Sequence, residues 1–326
     1  MVNLMRLGRD FTNFLYFDYL GEVEKREFES GELTAKDIDA IAQLAAKADI
    51  PGQVAVAKSL GLDHIELDGA VPNPYLSFDD EQKKRAKEAA SANGVSLSFH
   101  LPYSYVGAAI CSPEDYDRRA SVELHKRYLR FASEVGCKYA VIHPGFMPSY
   151  NAQGRYLEQA RAALVKSLVE LGEFSSSNGI GLHLENNTAF DLIFFEPAEI
   201  CSILEEVEKS GVKIYFCFDI GHWLTRADVG KSIPNPPERI IEEIPGGIFK
   251  ELHLNDYIPR KQIFHPPLHE GVGMLRRKNL ERYAELVSGK GAELIVVETA
   301  IRTKEQVMRR KELLKEETEY LRAIFG

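Results

Sequence analysis

At 326 residues, with 44% hydrophobic and 27% charged content, the chain is long enough to bury a sizeable core and has the composition of a soluble globular protein. Its 49 acidic against 40 basic residues leave a net charge of −9, which excludes a global attraction for nucleic acid though not a local basic groove. No apolar run approaches the roughly 18 residues that would span a bilayer, no signal-peptide core opens the sequence, and the four cysteines form no C-x-x-C pair. Those cysteines (Cys111, Cys137, Cys201 and Cys217) read as reduced thiols of a cytoplasmic protein rather than as metal ligands.

The first fifty residues are the least legible. Residues 4–8 are a candidate first strand, and the aromatics over 11–17 either cover the fold or lie in a loop. Residues 34–48 have helical periodicity with Thr34 as N-cap, and 51–60 predict a short helix that opens on Pro51 and stops at Gly61. A strand over 64–67 precedes a Pro-rich loop at 71–74, and a charged amphipathic helix over 78–93 ends at Asn93-Gly94. The remainder alternates strictly. Strands are expected at 95–100, 138–143, 181–185, 213–219, 251–253 and 293–298. Helices are expected at 112–136, 157–178, 198–210, 279–288 and 304–324, with at best a short one at 237–241.

Strand–helix alternation at this rhythm implies right-handed βαβ units and a parallel sheet. With the two early strands the count reaches eight, the number in an α/β (β/α)8 barrel, and no linker or low-complexity stretch divides the chain. A single domain over 1–326 follows, the first fifty or so residues being of uncertain arrangement. A doubly wound open sheet is the alternative, but neither G-x-G-x-x-G nor G-x-x-x-x-G-K is present to support a nucleotide fold.

The strands share one ending. The most telling, 214–223, reads I-Y-F-C-F-D-I-G-H-W: five apolar residues, then Asp219, then His222. Others close on His100, His143, Glu185, His253 and Glu298. In a barrel these ends meet at one mouth, where active sites lie. Three carboxylates gathered there repel one another unless a cation compensates them, and mixed nitrogen and oxygen donors suit Zn²⁺ or Mn²⁺. Taken singly, a His or Glu at a strand end is more often structural, and His64 and His125 are read that way. His183, two residues before Glu185, points the same way along its strand and is a candidate substrate contact.

In its short motifs the chain resembles the xylose isomerase-like barrels, a superfamily of sugar isomerases and epimerases that also includes the endonuclease IV repair enzymes. The motifs are His143-Pro144-Gly145, Glu185-Asn186-Asn187-Thr188, Asp219-x-x-His222, Leu252-His253-Leu254-Asn255-Asp256, His265 before Glu270-Gly271, and Val297-Glu298-Thr299. The resemblance implies that Glu185, Asp219, His253 and Glu298 hold one metal. It further implies that His100 and His143 hold a second with Glu185, and that His222 and His265 contribute to a third. Two departures stand out. Ile263 occupies the position where endonuclease IV has an aspartate two residues before the later histidine, and 69–74 replaces a basic, Trp-containing DNA-probing loop. Tyr103, three after His100, matches an aromatic that inserts into DNA in those enzymes, and serves equally to stack on a sugar face.

The expectation is therefore a metal-dependent isomerase or epimerase of a small sugar or sugar phosphate, with one to three Mn²⁺ or Zn²⁺ ions and an enediolate formed by proton abstraction beside a carbonyl. Glu185 and Glu298 would move the proton, His222 would hold a substrate hydroxyl, Trp223 would wall the pocket, and Arg260 would contact a hydroxyl or phosphate. The expected partner is a small carbohydrate, with no membrane; a homo-oligomer is left open. The rival reading is a metal-dependent hydrolase cutting phosphodiesters at abasic DNA, against which the acidic balance and the two departures weigh. A non-catalytic barrel with a structural metal is a third, opposed by the open, carboxylate-rich mouth.

Overall fold

The computed structural model describes residues 5–326. Eight parallel strands close into a barrel: β1 (Arg6–Asp10), β2 (His64–Asp68), β3 (Ser96–His100), β4 (Tyr139–Ile142), β5 (Gly181–Glu185), β6 (Tyr215–Asp219), β7 (Phe249–Leu254) and, last in the chain, β10 (Leu294–Glu298). Their order around the barrel is β1-β10-β7-β6-β5-β4-β3-β2, with β2 returning to β1. A two-stranded antiparallel hairpin, β8 (Tyr257–Ile258) and β9 (Ile263–Phe264), follows β7. Of the expected first strand, residue 4 lies outside the described residues; the remainder begins at Arg6 and runs on to Asp10.

The surrounding helices are α1 (Glu22–Ser30), α2 (Ala35–Ala48), α3 (Ile50–Ser59), α4 (Asp80–Asn93), α5 (Asp115–Val135), α6 (Gly154–Ser177) and α7 (Pro197–Glu208). They continue with α8 (Ile220–Leu224), α9 (Ile240–Glu243), α10 (Arg277–Lys290), α11 (Lys304–Met308) and α12 (Arg310–Phe325). None of the described helices is long and apolar enough to cross a membrane. Thr34 caps α2 as its sequence implies, and Asp37 reciprocates in a capping box. The single helix expected over 304–324 is broken at Arg309, and Arg310 beyond the break pairs with Asp18 and lies over Phe17. Helix α1 was not expected: it buries only Phe28 and has no side-chain cap to mark its start.

Alternation along each strand separates two environments. Outward residues such as Ile65, Leu97, Phe99, Leu182, Leu184, Phe216, Leu252 and Ile295 are buried under the helices. Inward positions are polar to a degree unusual for such a barrel: His64, Glu66, Ser98, His183, Glu251 and His253 are all buried. The floor is tight. His64 is fixed between Ser96 Oγ at 2.8 Å and Ser98 Oγ at 2.9 Å, and a Cβ on Gly8 would lie 2.5 Å from its ring. Gly8→Ala is therefore expected to destabilise the protein by about 1–3 kcal/mol through overpacking, read from urea unfolding. A change under about 0.5 kcal/mol would show that the floor can yield.

Candidate active site

Glu185, at the end of β5, is the centre of the mouth. Its Oε2 lies 3.1 Å from His100 Nε2 and 3.0 Å from His143 Nε2; its Oε1 lies 3.1 Å from His222 Nδ1 and 3.4 Å from His253 Nδ1. His253 Nδ1 is also 3.3 Å from Glu298 Oε1 and 4.0 Å from Asp219 Oδ2. Side-chain donors of Glu185, Asp219, His253 and Glu298 all fall within 4.8 Å of one another. Among the other groups that meet the same criterion are His100 with His143 and Glu185, and Asp219 with His222 and His265. The six residues expected at strand ends, and His222 and His265 with them, are thus brought together.

Local structure explains the spacing. Asp219 ends β6 and also caps α8, accepting from His222 N at 2.5 Å, so the turn brings His222 back over its own cap. Gly145 takes a left-handed φ of +78° with no room for a Cβ beside the Ala108 carbonyl, turning the chain away just after His143. Asn255 Nδ2 donates to Asp219 Oδ2 at 2.6 Å and to Glu298 Oε2 at 3.2 Å, tying two carboxylates from different strands. His265 keeps its place through a positive φ of 55° and a backbone bond to Asp256 O.

The charges are strongly coupled. Burial and the repulsion of Asp219 and Glu185 push the Glu298 carboxyl well above the usual range, against the pull of His253 and His100. Burial would raise Glu185 as well, but His143, His253 and His100 hold it well below. Burial opposes charge on His222 and His100, yet Asp219 and Glu185 lift the first to about 10, and Glu185 and Glu66 lift the second to about 10. His265 goes the other way, to about 4, because burial dominates and Asp219 cannot offset it. It stays neutral near pH 7, with a lone pair free to ligate.

These donors fit a divalent cation. Glu185 Oε1 and His253 Nδ1 are both buried without a hydrogen-bond partner among the described residues, and three fully buried or nearly buried carboxylates surround them. Unpaired buried anions are costly, whereas a hard or borderline cation uses those same oxygens and nitrogens. Above them opens a cavity of about 250 Å³ lined in part by Tyr103, Phe146, Asn187, Thr188, His222 and Glu298. Tyr103 stands at its rim, 42% exposed and 4.9 Å ring to ring from His143.

Three expected contacts are not at the mouth. His183 does point into the barrel, but it sits one inward position below Glu185, with Nδ1 2.5 Å from Glu251 Oε2, and it is buried. Trp223 follows His222 on α8 and is therefore rotated about 100° away from it. It is wholly buried against Phe218 beneath Arg226 and does not line the cavity. Arg260 lies between the hairpin strands β8 and β9, exposed, with its backbone N–H on Asp228, and does not line the cavity. Conversely, Glu66 on β2 was passed over, although it belongs to a close group with His100, His253 and Glu298. Its signal was present: His64-Ile-Glu66-Leu-Asp68 alternates polar and apolar in a strand that the barrel should bury. Asp10, ending β1, was missed for want of a clear strand; burial and the neighbouring Asp68 raise it to about 7.

The sequence pattern described as xylose isomerase-like TIM barrel matches residues 54–324. No curated protein matches the chain. D-Psicose 3-epimerase from Clostridium cellulolyticum H10 superposes with a TM-score of 0.67 at 14% identity, over 99% of this chain and 100% of that one. A putative xylose isomerase from Rhodospirillum rubrum gives 0.71 at 11% identity, over 98% and 99%. A xylose isomerase-like TIM barrel protein from Mycobacterium smegmatis, in complex with magnesium, gives 0.53 at 16%, over 83% and 89%. At these identities the likeness establishes the fold.

Proposed function

We propose, from the premise that the chain belongs to the xylose isomerase-like TIM barrel family, that it is a divalent-metal-dependent isomerase or epimerase of a small, unphosphorylated sugar or sugar-like polyol. The observation that carries this reading is the convergence of Glu185, Asp219, His253 and Glu298, with Glu185 Oε1 and His253 Nδ1 buried and unpartnered among the described residues, beside a small cavity that Glu298 lines. The sugar epimerase and the magnesium complex among similar barrels support it. The cavity is below the roughly 300–1,000 Å³ of ordinary ligand clefts, a size for one sugar ring or open chain rather than a polymer. Its lining includes no lysine or arginine among the described residues, and its raised imidazoles, His100 and His222, are already paired with Glu185, which favours an uncharged substrate.

Those four residues would hold Mn²⁺ or Zn²⁺, which when bound supplies Lewis acidity towards a carbonyl and its neighbouring hydroxyl. Glu185 and Glu298 stand on β5 and β10, with two strands between them, and their environments push their protonation in opposite directions. Such a pair suits a base that takes the proton beside the carbonyl and an acid that returns it, through an enediolate. His222 turns Nδ1 to Glu185 and the Asn186 carbonyl, leaving its other ring nitrogen for a substrate hydroxyl. Tyr103 and Phe146 offer aromatic faces to the apolar side of the sugar.

One observation favours a second reading, phosphodiester cleavage: His100 and His143 both reach the same oxygen of Glu185, a ligand set that proton transfer at carbon does not need. Against it, Ile263 lies opposite Ile258 in the hairpin, leaving Asp219 as the one carboxylate grouped with His222 and His265. One experiment separates the two. Metal-replete protein is incubated in deuterated water with free and phosphorylated aldoses and ketoses, and separately with a duplex containing one abasic site. Label or product in a free sugar, lost on chelation, is the expected result. A nick at the abasic site, abolished by chelator and by His143→Ala, with no label in any sugar, would overturn the choice and leave the ligand set standing.

A further inference from the structure

Beneath the mouth, the barrel interior carries a second tier of buried polar groups that the proposed chemistry does not use. Glu66 on β2 is fully buried, and only one of its oxygens is satisfied: Oε2 accepts from Ser98 Oγ at 3.0 Å. Ser98 Oγ is itself 2.9 Å from His64 Nε2, and His64 Nδ1 is 2.8 Å from Ser96 Oγ. Glu66 is therefore anchored from below through a chain of side chains on β2 and β3. Its other oxygen, Oε1, has no hydrogen-bond partner among the described residues and lies 3.3 Å from His253 Nε2, which also lacks one.

His253 presents its two nitrogens to two different tiers. Nδ1 faces Glu185, Asp219 and Glu298, while Nε2 faces Glu66 and, at 3.8 Å, Glu251 Oε1. Glu251 is the poorer partner, because it is farther and its second oxygen is already held by His183 at 2.5 Å. A ligating imidazole must keep a lone pair on the nitrogen facing the ion and a proton on the other. An acceptor at that second nitrogen fixes the tautomer, aligns the ring and raises its basicity.

We propose that Glu66 is the positioning residue for His253, accepting its Nε2–H and so committing Nδ1 to the ion. This rests on the reading of His253 as a metal ligand. It assigns a task to a carboxylate that burial would otherwise make costly, and extends the functional unit from the mouth to the barrel floor through Ser98 and His64.

The test reads metal affinity rather than turnover. Zn²⁺ affinity is measured by competition with a chromophoric chelator, and the visible absorption of the Co²⁺-loaded protein reports ligand geometry. Glu66→Leu is expected to weaken Zn²⁺ about 100-fold and to shift the Co²⁺ bands. Glu66→Gln retains an acceptor oxygen without the charge and should recover most of that, to within about tenfold of the parent. Glu66→Gln is nearly isosteric, so it carries the test if the leucine variant does not fold, which thermal unfolding of the chelated proteins reveals. If both variants bind within twofold of the parent with unchanged Co²⁺ bands, while His253→Ala loses the ion, the proposal is wrong and the metal site stands. Weaker binding in Glu251→Gln but not in Glu66→Gln would overturn it too, by giving the positioning role to Glu251. If His253→Ala binds as tightly as the parent, the metal reading itself fails and this inference falls with it.

Discussion

Replacing Glu298 by glutamine is expected to lower turnover by about 10²–10⁴-fold, roughly 3–5 kcal/mol of barrier, while the metal ion stays bound. The amide keeps the size of the carboxyl and one oxygen to face His253, now at 3.3 Å, or to accept from Asn255, now at 3.2 Å. What it loses is the ability to hold and release a proton at the position where burial, Asp219 and Glu185 have raised the native group. An interaction made only during proton transfer should lower kcat and kcat/KM together and leave KM nearly unchanged. The measurements are steady-state kinetics on the sugar identified by deuterium incorporation, and elemental analysis of the variant. Full turnover with metal retained would make Glu298 a ligand only, and the two-glutamate mechanism would be wrong. A loss confined to KM would assign it to substrate binding instead.

The architecture and the gathering of these side chains at one mouth were legible for a common reason. Barrel strands end at one mouth, so a polar residue closing an apolar strand declares both the end of the element and its place in the site; Asp219 in F-C-F-D-I-G-H is the plainest case. What lay one step away from a strand end was not legible. Period two put His183 on the correct face, but two residues of strand rise, about 6–7 Å, carry it below the cavity, where it meets Glu251. Trp223 adjoins a site residue in sequence, yet helical rotation turns it into the core. Arg260 depends on the path of a hairpin whose two-residue strands leave little periodicity to read. Glu66 and Asp10 were obscured differently. Asp10 stands on a strand whose partner β10 is distant in the chain, and the alternation in β2 shows that Glu66 faces inward but not that it meets His253 and Glu298, which lie far along the sequence.

The second large effect is on stability, at the seam where β1 meets β10. Arg9 points outward from β1 and is 1% exposed; its Nη1 donates to Glu317 Oε2 on α12 at 2.8 Å, and its Nη2 donates to the Thr299 hydroxyl. Thr299 Oγ1 donates to the same carboxylate oxygen at 2.6 Å, and the Leu268 N–H donates to the other at 2.6 Å. Phe14 closes the cluster, 4.6 Å from the guanidinium. Burial would raise the Glu317 carboxyl, but Arg9, His269 and Thr299 overcome it and hold the group at about 2. A carboxyl depressed in the folded state contributes stability that is complete above its unfolded value of 4.5 and disappears as pH falls from there through about 2. The difference corresponds to about 3 kcal/mol. Glu317→Ala leaves Arg9 buried without its anion and should therefore cost about 3–5 kcal/mol at pH 7, a large share of the roughly 5–15 kcal/mol that holds a domain folded. Glu317→Gln should flatten the acid side of the stability curve, since its side chain does not titrate there. Urea unfolding of chelated parent and variant between pH 7 and pH 3 measures both effects, and chelation leaves the protonation of the mouth common to the two proteins. The difference between parent and Gln variant should shrink as pH falls below about 4.5. A difference independent of pH would show that packing, not the ion pair, makes Glu317 necessary. Replacing Arg9 and Glu317 together by leucine tests the same point from the other side: removing both charges should recover much of what the single Glu317→Ala change loses, because the penalty lies mainly in the charge left buried and unpaired.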